Sequence, residues 1–397
     1  MLNQVTDKTA ERLPDIIRRA KEIRKNQNEA GCGGTVLPGE YILKNCPDFL
    51  QRVSGDVRTI MVGGTNGKTT TTSMIVHMLR AKGFRVFSNR EGANKTEGIA
   101  TAFGLHCNSE GKLDYDFAVV ECDELFLLPM ATVLKPEVLV LTNLYKDQVE
   151  RLISAEHTAK EIVRAISTLT DCTLCLNRDM NFFEDFAEAY HGTRRIPYRL
   201  ASEHTVEIDG RFYEMTVDLP MKYNLENVAA AAAAVYAVEQ LFPESFDCFR
   251  DYKLPFGRFD RIALPDSEIR VVLAKNQIAL ERICSELAEL LSGCTLFMCY
   301  EYPPDFLWLE DLDPETCRNI GRAERICVLG DCAEDLERII RKNFIGHSSV
   351  EILSDEQAVH LLQTAKQPVL AIVGYCGMLR LNKLLAAEKY TKEFWEE

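Results

Sequence analysis

The sequence predicts an α/β protein with a central parallel sheet and a smaller α/β domain after it. Three observations carry this. From residue 57 to about 176, apolar strand-like runs at 59–62, 85–88, 117–121, 138–142 and 173–177 alternate with helical stretches, the pattern of a parallel sheet with helices on both faces. The first run enters the glycine-rich turn Gly63-Gly-Thr-Asn-Gly-Lys-Thr69, and a helical stretch follows. A second alternation begins after residue 260, with apolar runs at 269–274, 295–299, 326–329 and 368–373 and a helix reaching Leu291.

The turn is the most informative segment. Glycines 63, 64 and 67 let backbone N–H groups approach phosphate oxygens. Lys68 can reach terminal phosphates, and the Thr69 hydroxyl can ligate Mg²⁺. Met74, Ile75, Met78 and Leu79 then recur at helical spacing up to Gly83. The longer phosphate-loop pattern has Gly where Val62 stands, so this is the shorter form Gly64-Thr-Asn-Gly-Lys-Thr69. The fold expected is a central parallel-sheet P-loop ATPase domain over 56–254, a C-terminal α/β domain over 255–397, and an N-terminal helix and glycine-rich loop over 1–55.

Composition sets the outer limits. A chain of 397 residues with 46% hydrophobic content suggests two or three globular domains. A net charge of −14 argues against sequence-independent nucleic-acid binding. The start, Met1-Leu-Asn-Gln-Val-Thr-Asp7, has no apolar core, and no run of about eighteen apolar residues occurs. A cytoplasmic protein is therefore expected, and its 14 cysteines read as reduced thiols. Cys172-Thr-Leu-Cys175 lies in an apolar run with no second pair nearby, which favours structural cysteines over metal ligands.

At 8–29 a basic amphipathic helix is expected, with Leu13, Ile16, Ile17, Ala20 and Ile23 on one face. The loop Gly31-Cys-Gly-Gly-Thr-Val-Leu-Pro-Gly39 follows. Residues 195–220 read as a β-rich insert turning at Asp209-Gly210. A helix over 225–241 contains the close-packing run 229–234. Pro255-Phe-Gly-Arg-Phe-Asp260 reads as a linker.

In such a sheet ligands gather at the carboxyl ends of the strands. There Glu121-Cys-Asp-Glu124 offers carboxylates to a magnesium ion. Asn143, and Asn177 with Asp179, offer groups that either pair with an adenine edge or cap a helix. Arg258, at the domain junction, suits bidentate phosphate binding.

With these residues assembled, the chain resembles the Mur ligase family of ATP-dependent amide-forming enzymes. Gly64-Thr-Asn-Gly-Lys-Thr69 is similar to its phosphate loop, Leu176-Asn-Arg-Asp179 to its adenine motif, Tyr223-Asn-Leu-Glu-Asn227 to its His-Asn-x-x-Asn segment, and Phe256-Gly-Arg258 to its linker arginine. Within the family it resembles the MurT-type branch, subunits of lipid II isoglutaminyl synthase, through Gly33-Gly-Thr-Val-Leu-Pro-Gly39, Asn89-Arg-Glu-Gly-Ala-Asn94, Glu121-Cys-Asp-Glu124 and Leu141-Thr-Asn-Leu-Tyr-Lys-Asp-Gln148.

The resemblance implies a Mur ligase-like fold, ATP and Mg²⁺ as cofactors, and amidation of the D-glutamate α-carboxyl of the lipid II stem peptide. Ammonia would come from a glutaminase subunit of GatD type. Lys68, Glu121, Arg258 and Asp305 are the implied catalytic residues. Gly64, Thr65, Asn66, Gly67, Lys68, Thr69, Thr70, Asn143, Asn177, Asp179, Asn227 and Arg258 are implied to hold the nucleotide, and Thr69 and Glu121 the magnesium. The branch carries a four-cysteine zinc ribbon, whereas residues 180–222 contain no cysteine, so no zinc is expected. The loop around Asp305 (Met298 to Trp308) departs from the branch pattern, as does Gln277 after Lys275-Asn276. An amino-acid-adding peptide ligase and an ATP-binding scaffold are the competing readings. Tyr145-Lys-Asp-Gln148 lacks the histidine ligand of the peptide ligases, which favours amidation.

Overall fold

A computed structural model describes residues 12–29, 36–89, 93–144, 155–301, 306–344 and 349–392. They form two compact units, divided between Tyr252 and Lys253. The glycine loop at 31–35, the segment 145–148 and Asp305 fall outside the described residues.

The first unit is built on eight strands: β1 Arg58–Gly63, β2 Val86–Ser88, β3 Phe117–Glu121, β4 Val138–Leu141, β5 Thr173–Asn177, β6 Arg194–Ser202, β7 Thr205–Ile208 and β8 Arg211–Glu214. Their order across the sheet is β2-β3-β1-β4-β5-β6-β7-β8. The strands from β2 to β6 are parallel, and β7 and β8 are antiparallel. Ile60, Met61 and Val62, and all of β3 and β4, are buried. Continuous apolar runs of this kind are what a sheet covered on both faces requires. The chain runs from β1 outward through β2 and β3, then crosses to β4 on the other side of β1. That reversal opens a crevice at the carboxyl ends of β3, β1 and β4.

Two helices frame the crevice. Lys68–Ala81 follows β1, and Lys222–Val238 packs on it and on β4, β5 and β6. Ala229 to Ala234 are all buried, so over this stretch the second helix is apolar all round and approaches its neighbours closely. The β7–β8 hairpin turns on Asp209 (φ 53°) and Gly210 (φ 74°), the two positive φ values of a two-residue turn whose twist matches the strands. The amphipathic helix Leu13–Glu29 buries Ile16, Ile17 and Ala20.

The second unit has β9 Arg258–Ala263, β10 Glu268–Leu273, β11 Thr295–Cys299, β12 Arg325–Leu329, β13 Ser349–Ile352 and β14 Val369–Val373, in the order β13-β12-β11-β14-β10-β9. All pairings are parallel except β9 with β10. Three expectations are corrected here. Arg258 and the residues after it are the edge strand β9, not linker. The pairing steps from Arg258↔Val272 to Asp260↔Val271, leaving Phe259 (φ 69°) bulged out of register and its ring beneath the Arg270 guanidinium. A non-glycine bulge beside Pro and Gly has no local strand signature. The short strand β13 was not anticipated, because four residues are too few to show a period. The helix expected to reach Leu291 is two helices, Gln277–Glu286 and Ala288–Leu291, divided at Leu287.

Candidate active site

The loop after β1 is shaped by two glycines and braced by β4. Gly64 has φ 125° and Gly67 φ 85°, both outside the range comfortable for other residues. Side chains could not be added in any case. A Cβ at Gly64 would lie 2.2 Å from Thr142 Oγ1, and one at Gly67 2.2 Å from Asn227 Oδ1. The end of β4 straps the loop down. Thr65 N–H donates to the Asn143 carbonyl (3.0 Å), Asn66 N–H to Asn143 Oδ1 (2.9 Å), and Asn143 Nδ2 to the Asn66 carbonyl (2.9 Å). Thr142 Oγ1 also donates to that carbonyl (2.8 Å).

Lys68 opens the helix and is buried. Its ammonium donates to the carbonyls of Gly64 (2.5 Å) and Thr65 (3.3 Å) and to Glu124 Oε1 (2.9 Å). One residue on, Thr69 Oγ1 donates to Glu121 Oε2 at 2.8 Å, while Asn94 Nδ2 donates to Glu121 Oε1 at 3.2 Å. Asn89 fixes the strand end that carries Glu121. It accepts from Glu121 N–H (2.8 Å) and donates to the carbonyls of Glu121 (2.8 Å) and Ala93 (3.0 Å).

The acidic run therefore divides its work. Glu121 ends β3 and faces Thr69. Asp123 accepts from Leu125 N–H and caps the turn Glu124–Phe126, which brings Glu124 back onto Lys68. Between them Cys122 is buried, and burial holds its thiol well above the ordinary range.

Of the residues singled out from the sequence, Gly64 to Thr70, Glu121, Asn143, Asn177 and Asn227 gather at this one edge of the first sheet. The asparagine side chains are engaged with the loop and its surroundings. Asn227 Oδ1 accepts from Thr71 Oγ1 (3.3 Å) behind Gly67, and Asn177 bridges the Thr142 carbonyl (2.9 Å) and Asp179 N–H (3.0 Å). Thr70 is buried, and among the described residues its hydroxyl meets no hydrogen-bond partner. Arg258 belongs to the second unit, where its N–H donates to the Pro255 carbonyl at 3.1 Å. Asn94, Asn89 and Thr142 stood inside family motifs without roles of their own, and Glu124 was read only within an acidic run offering carboxylates to magnesium; their partners came into view only with the fold.

The donor set suits magnesium. A hydroxyl and a carboxylate oxygen stand 2.8 Å apart, within the spacing of about 2.8–3.0 Å between neighbouring corners of an octahedron whose metal–oxygen distances are about 2.0–2.1 Å. A positive-φ glycine loop at a helix start, with a buried lysine, suits the phosphates of a nucleotide.

Fold and site together define a P-loop protein with a Mur ligase-like fold. The Mur ligase middle domain matches residues 62–235. MurF from Acinetobacter baumannii superposes with a TM-score of 0.66 over 88% of this chain and 80% of that one at 14% identity, and Mycobacterium tuberculosis folylpolyglutamate synthase with 0.63 over 88% and 98% at 15%. Among curated proteins, the lipid II isoglutaminyl synthase (glutamine-hydrolyzing) subunit MurT of Streptococcus pneumoniae is 26% identical over 91% of this chain and 94% of its own length. The subunit of the same name from Staphylococcus aureus is 35% identical over 42% of this chain and 37% of its own length. Residues 62–235 thus match the Mur ligase middle domain, and along most of its length the chain is similar to a MurT subunit.

Proposed function

We propose that this chain is the ligase subunit of a lipid II isoglutaminyl synthase, activating a carboxylate with ATP and joining ammonia to it. The observation that carries the reading is the Thr69–Glu121 oxygen pair beside Lys68, in a chain that aligns almost end to end with a MurT subunit. The acceptor is the D-glutamate α-carboxyl of the lipid II stem peptide. The ammonia comes from a glutaminase partner of GatD type.

A carboxylate is a poor electrophile because its negative charge repels a nucleophile and oxide is a poor leaving group. Transfer of the terminal phosphoryl group to the carboxylate oxygen makes an acyl phosphate. Ammonia then adds at the carbonyl carbon, the C–N bond forms, and the C–O bond to phosphate breaks. The chain's part is positioning and charge stabilisation. The N–H groups of residues 64–67 and the Thr70 hydroxyl hold phosphates, Lys68 neutralises the transferring group, and Asn143 and Asn227 keep the loop in shape; Arg258, in the second unit, is assigned to phosphate by its resemblance to the family's linker arginine. Asn177 and Asp179 shape the turn assigned to the adenine. Thr69 and Glu121 would hold Mg²⁺, which supplies charge neutralisation on the phosphate oxygens. Asp305 is assigned to the glutaminase side.

The test is direct. Purified chain, lipid II, MgATP and ammonium should yield ADP and amidated stem peptide, and the glutaminase with glutamine should replace ammonium. Turnover with an amino acid but not with ammonium would point instead to a peptide ligase. Nucleotide binding without ADP formation for any acceptor would point to a scaffold.

A further inference from the structure

We propose that Glu124 is the resting partner of Lys68, and that this pairing makes nucleotide binding at the loop depend on a divalent cation. The inference rests on the nucleotide reading of the loop and adds a residue to it.

An ammonium has three donors, and the Lys68 ammonium already meets two loop carbonyls and the Glu124 carboxylate. A phosphate oxygen arriving at Lys68 must take the place of one of them. The carbonyls are neutral and belong to the loop that cradles the phosphate. Glu124 is the charged competitor, with 8% of its side chain exposed against 6% for Lys68. If the phosphate displaces it, a buried carboxylate loses its counter-charge, which is costly. The stranded charge also sits near Glu121, whose carboxylate lies on Thr69 one residue past Lys68. A bare polyphosphate therefore adds negative charge where, among the described residues, the buried carboxylates of Glu121, Asp123 and Glu124 outnumber the Lys68 ammonium. A cation at the Thr69–Glu121 oxygens restores the balance, and Lys68 can then turn from Glu124 to the phosphate. In this scheme Glu124 is a positioning residue and not a metal ligand.

The experiment measures binding of a fluorescent N-methylanthraniloyl ATP analogue, with magnesium and with EDTA, to wild-type, Glu124→Gln and Glu124→Asp proteins. Glutamine keeps the shape and can still accept from Lys68, but it carries no charge to compete. Glu124→Gln should tighten metal-free binding about tenfold while changing magnesium-loaded binding by less than about threefold. Glu124→Asp should keep the wild-type dependence on the cation. An unchanged ratio of the two affinities in Glu124→Gln would overturn the proposal, as would loss of magnesium-loaded binding alone, the mark of a metal ligand. Wild-type protein that binds the probe in neither condition would refute the nucleotide reading itself. Wild-type binding with magnesium leaves that reading standing, and the outcome then concerns Glu124 alone.

Discussion

Asn143 grips Asn66 by both ends of its amide, accepting from the Asn66 N–H and donating to the Asn66 carbonyl, each at 2.9 Å. The two residues are 77 positions apart. One side chain thus sets the backbone of the phosphate loop from a neighbouring strand. The loop is pre-shaped by the sheet rather than by its own residues alone.

Removing that grip has a measurable cost. Asn143→Ala takes both bonds from Asn66; the carbonyl keeps its bond from Thr142 Oγ1 (2.8 Å), while the partly buried N–H loses this acceptor, a loss of about 1–3 kcal/mol. Urea denaturation should show a loss in that range. Nucleotide affinity, read by fluorescence titration, should fall at least as steeply as stability.

Gly67 is constrained twice. Its φ of 85° disfavours any side chain, and a Cβ would strike Asn227 Oδ1. Gly67→Ala should destabilise the protein by about 1–3 kcal/mol and abolish nucleotide binding. Adding Asn227→Ala removes the clash but not the strained backbone. The double variant should regain part of the thermal stability and little of the binding.

Glu121→Gln keeps the hydrogen bond from Thr69 but halves the oxygen donor set at the proposed metal position. The melting temperature should change little. ADP release should fall by about 10² or more, and the magnesium concentration for half-maximal nucleotide binding should rise. Wild-type magnesium dependence in this variant would remove Glu121 from the metal site.

The buried thiols predict alkaline lability. Burial pushes Cys107, Cys172, Cys294 and Cys299 up to about 12. An unfolded thiol ionises near 8.5. Below that pH both states are protonated and stability is full. Between about 8.5 and 12 the unfolded chain loses protons that the folded chain keeps, so stability falls as pH rises. Denaturation midpoints measured from pH 8 to 11 should decline, and Cys172→Ala should flatten the decline.

In the second unit, Arg380 ties its own helix to three other segments. It meets Asp355 through two bonds (2.8 and 3.1 Å), Glu301 Oε1 at 2.8 Å and Asp331 Oδ1 at 3.3 Å. These groups are partly exposed, so screening limits their worth. Arg380→Met should cost about 1–2 kcal/mol. Scanning calorimetry should show the loss in the transition of the second unit, with nucleotide binding unaffected.

The loop, its strand and its helix were legible in the sequence because their signals are local. Glycine spacing, an apolar run and helical periodicity all fall within 25 residues. The hairpin at Asp209-Gly210 was legible for the same reason, since a two-residue turn of that type needs residues tolerant of positive φ. The edge strand β9 was not legible, because its bulge at Phe259 is stabilised by pairing with β10 and by Arg270, not by local preference. Asn143 and Asn177 were legible as strand-end residues but not in their roles. Each had a base-pairing and a capping reading, and the structure shows their side chains engaged with backbone.

By itself, then, the sequence determined where a phosphate can be held, because a helix start with glycine, lysine and threonine is a contiguous device. Only the tertiary structure decided what surrounds it. Glu124 reaches Lys68 across 56 residues, Glu121 reaches Thr69 across 52, and Asn227 reaches Thr71 across 156. Such pairings depend on strand order and the crossover at β1, which bring distant carboxylates and amides to one sheet edge.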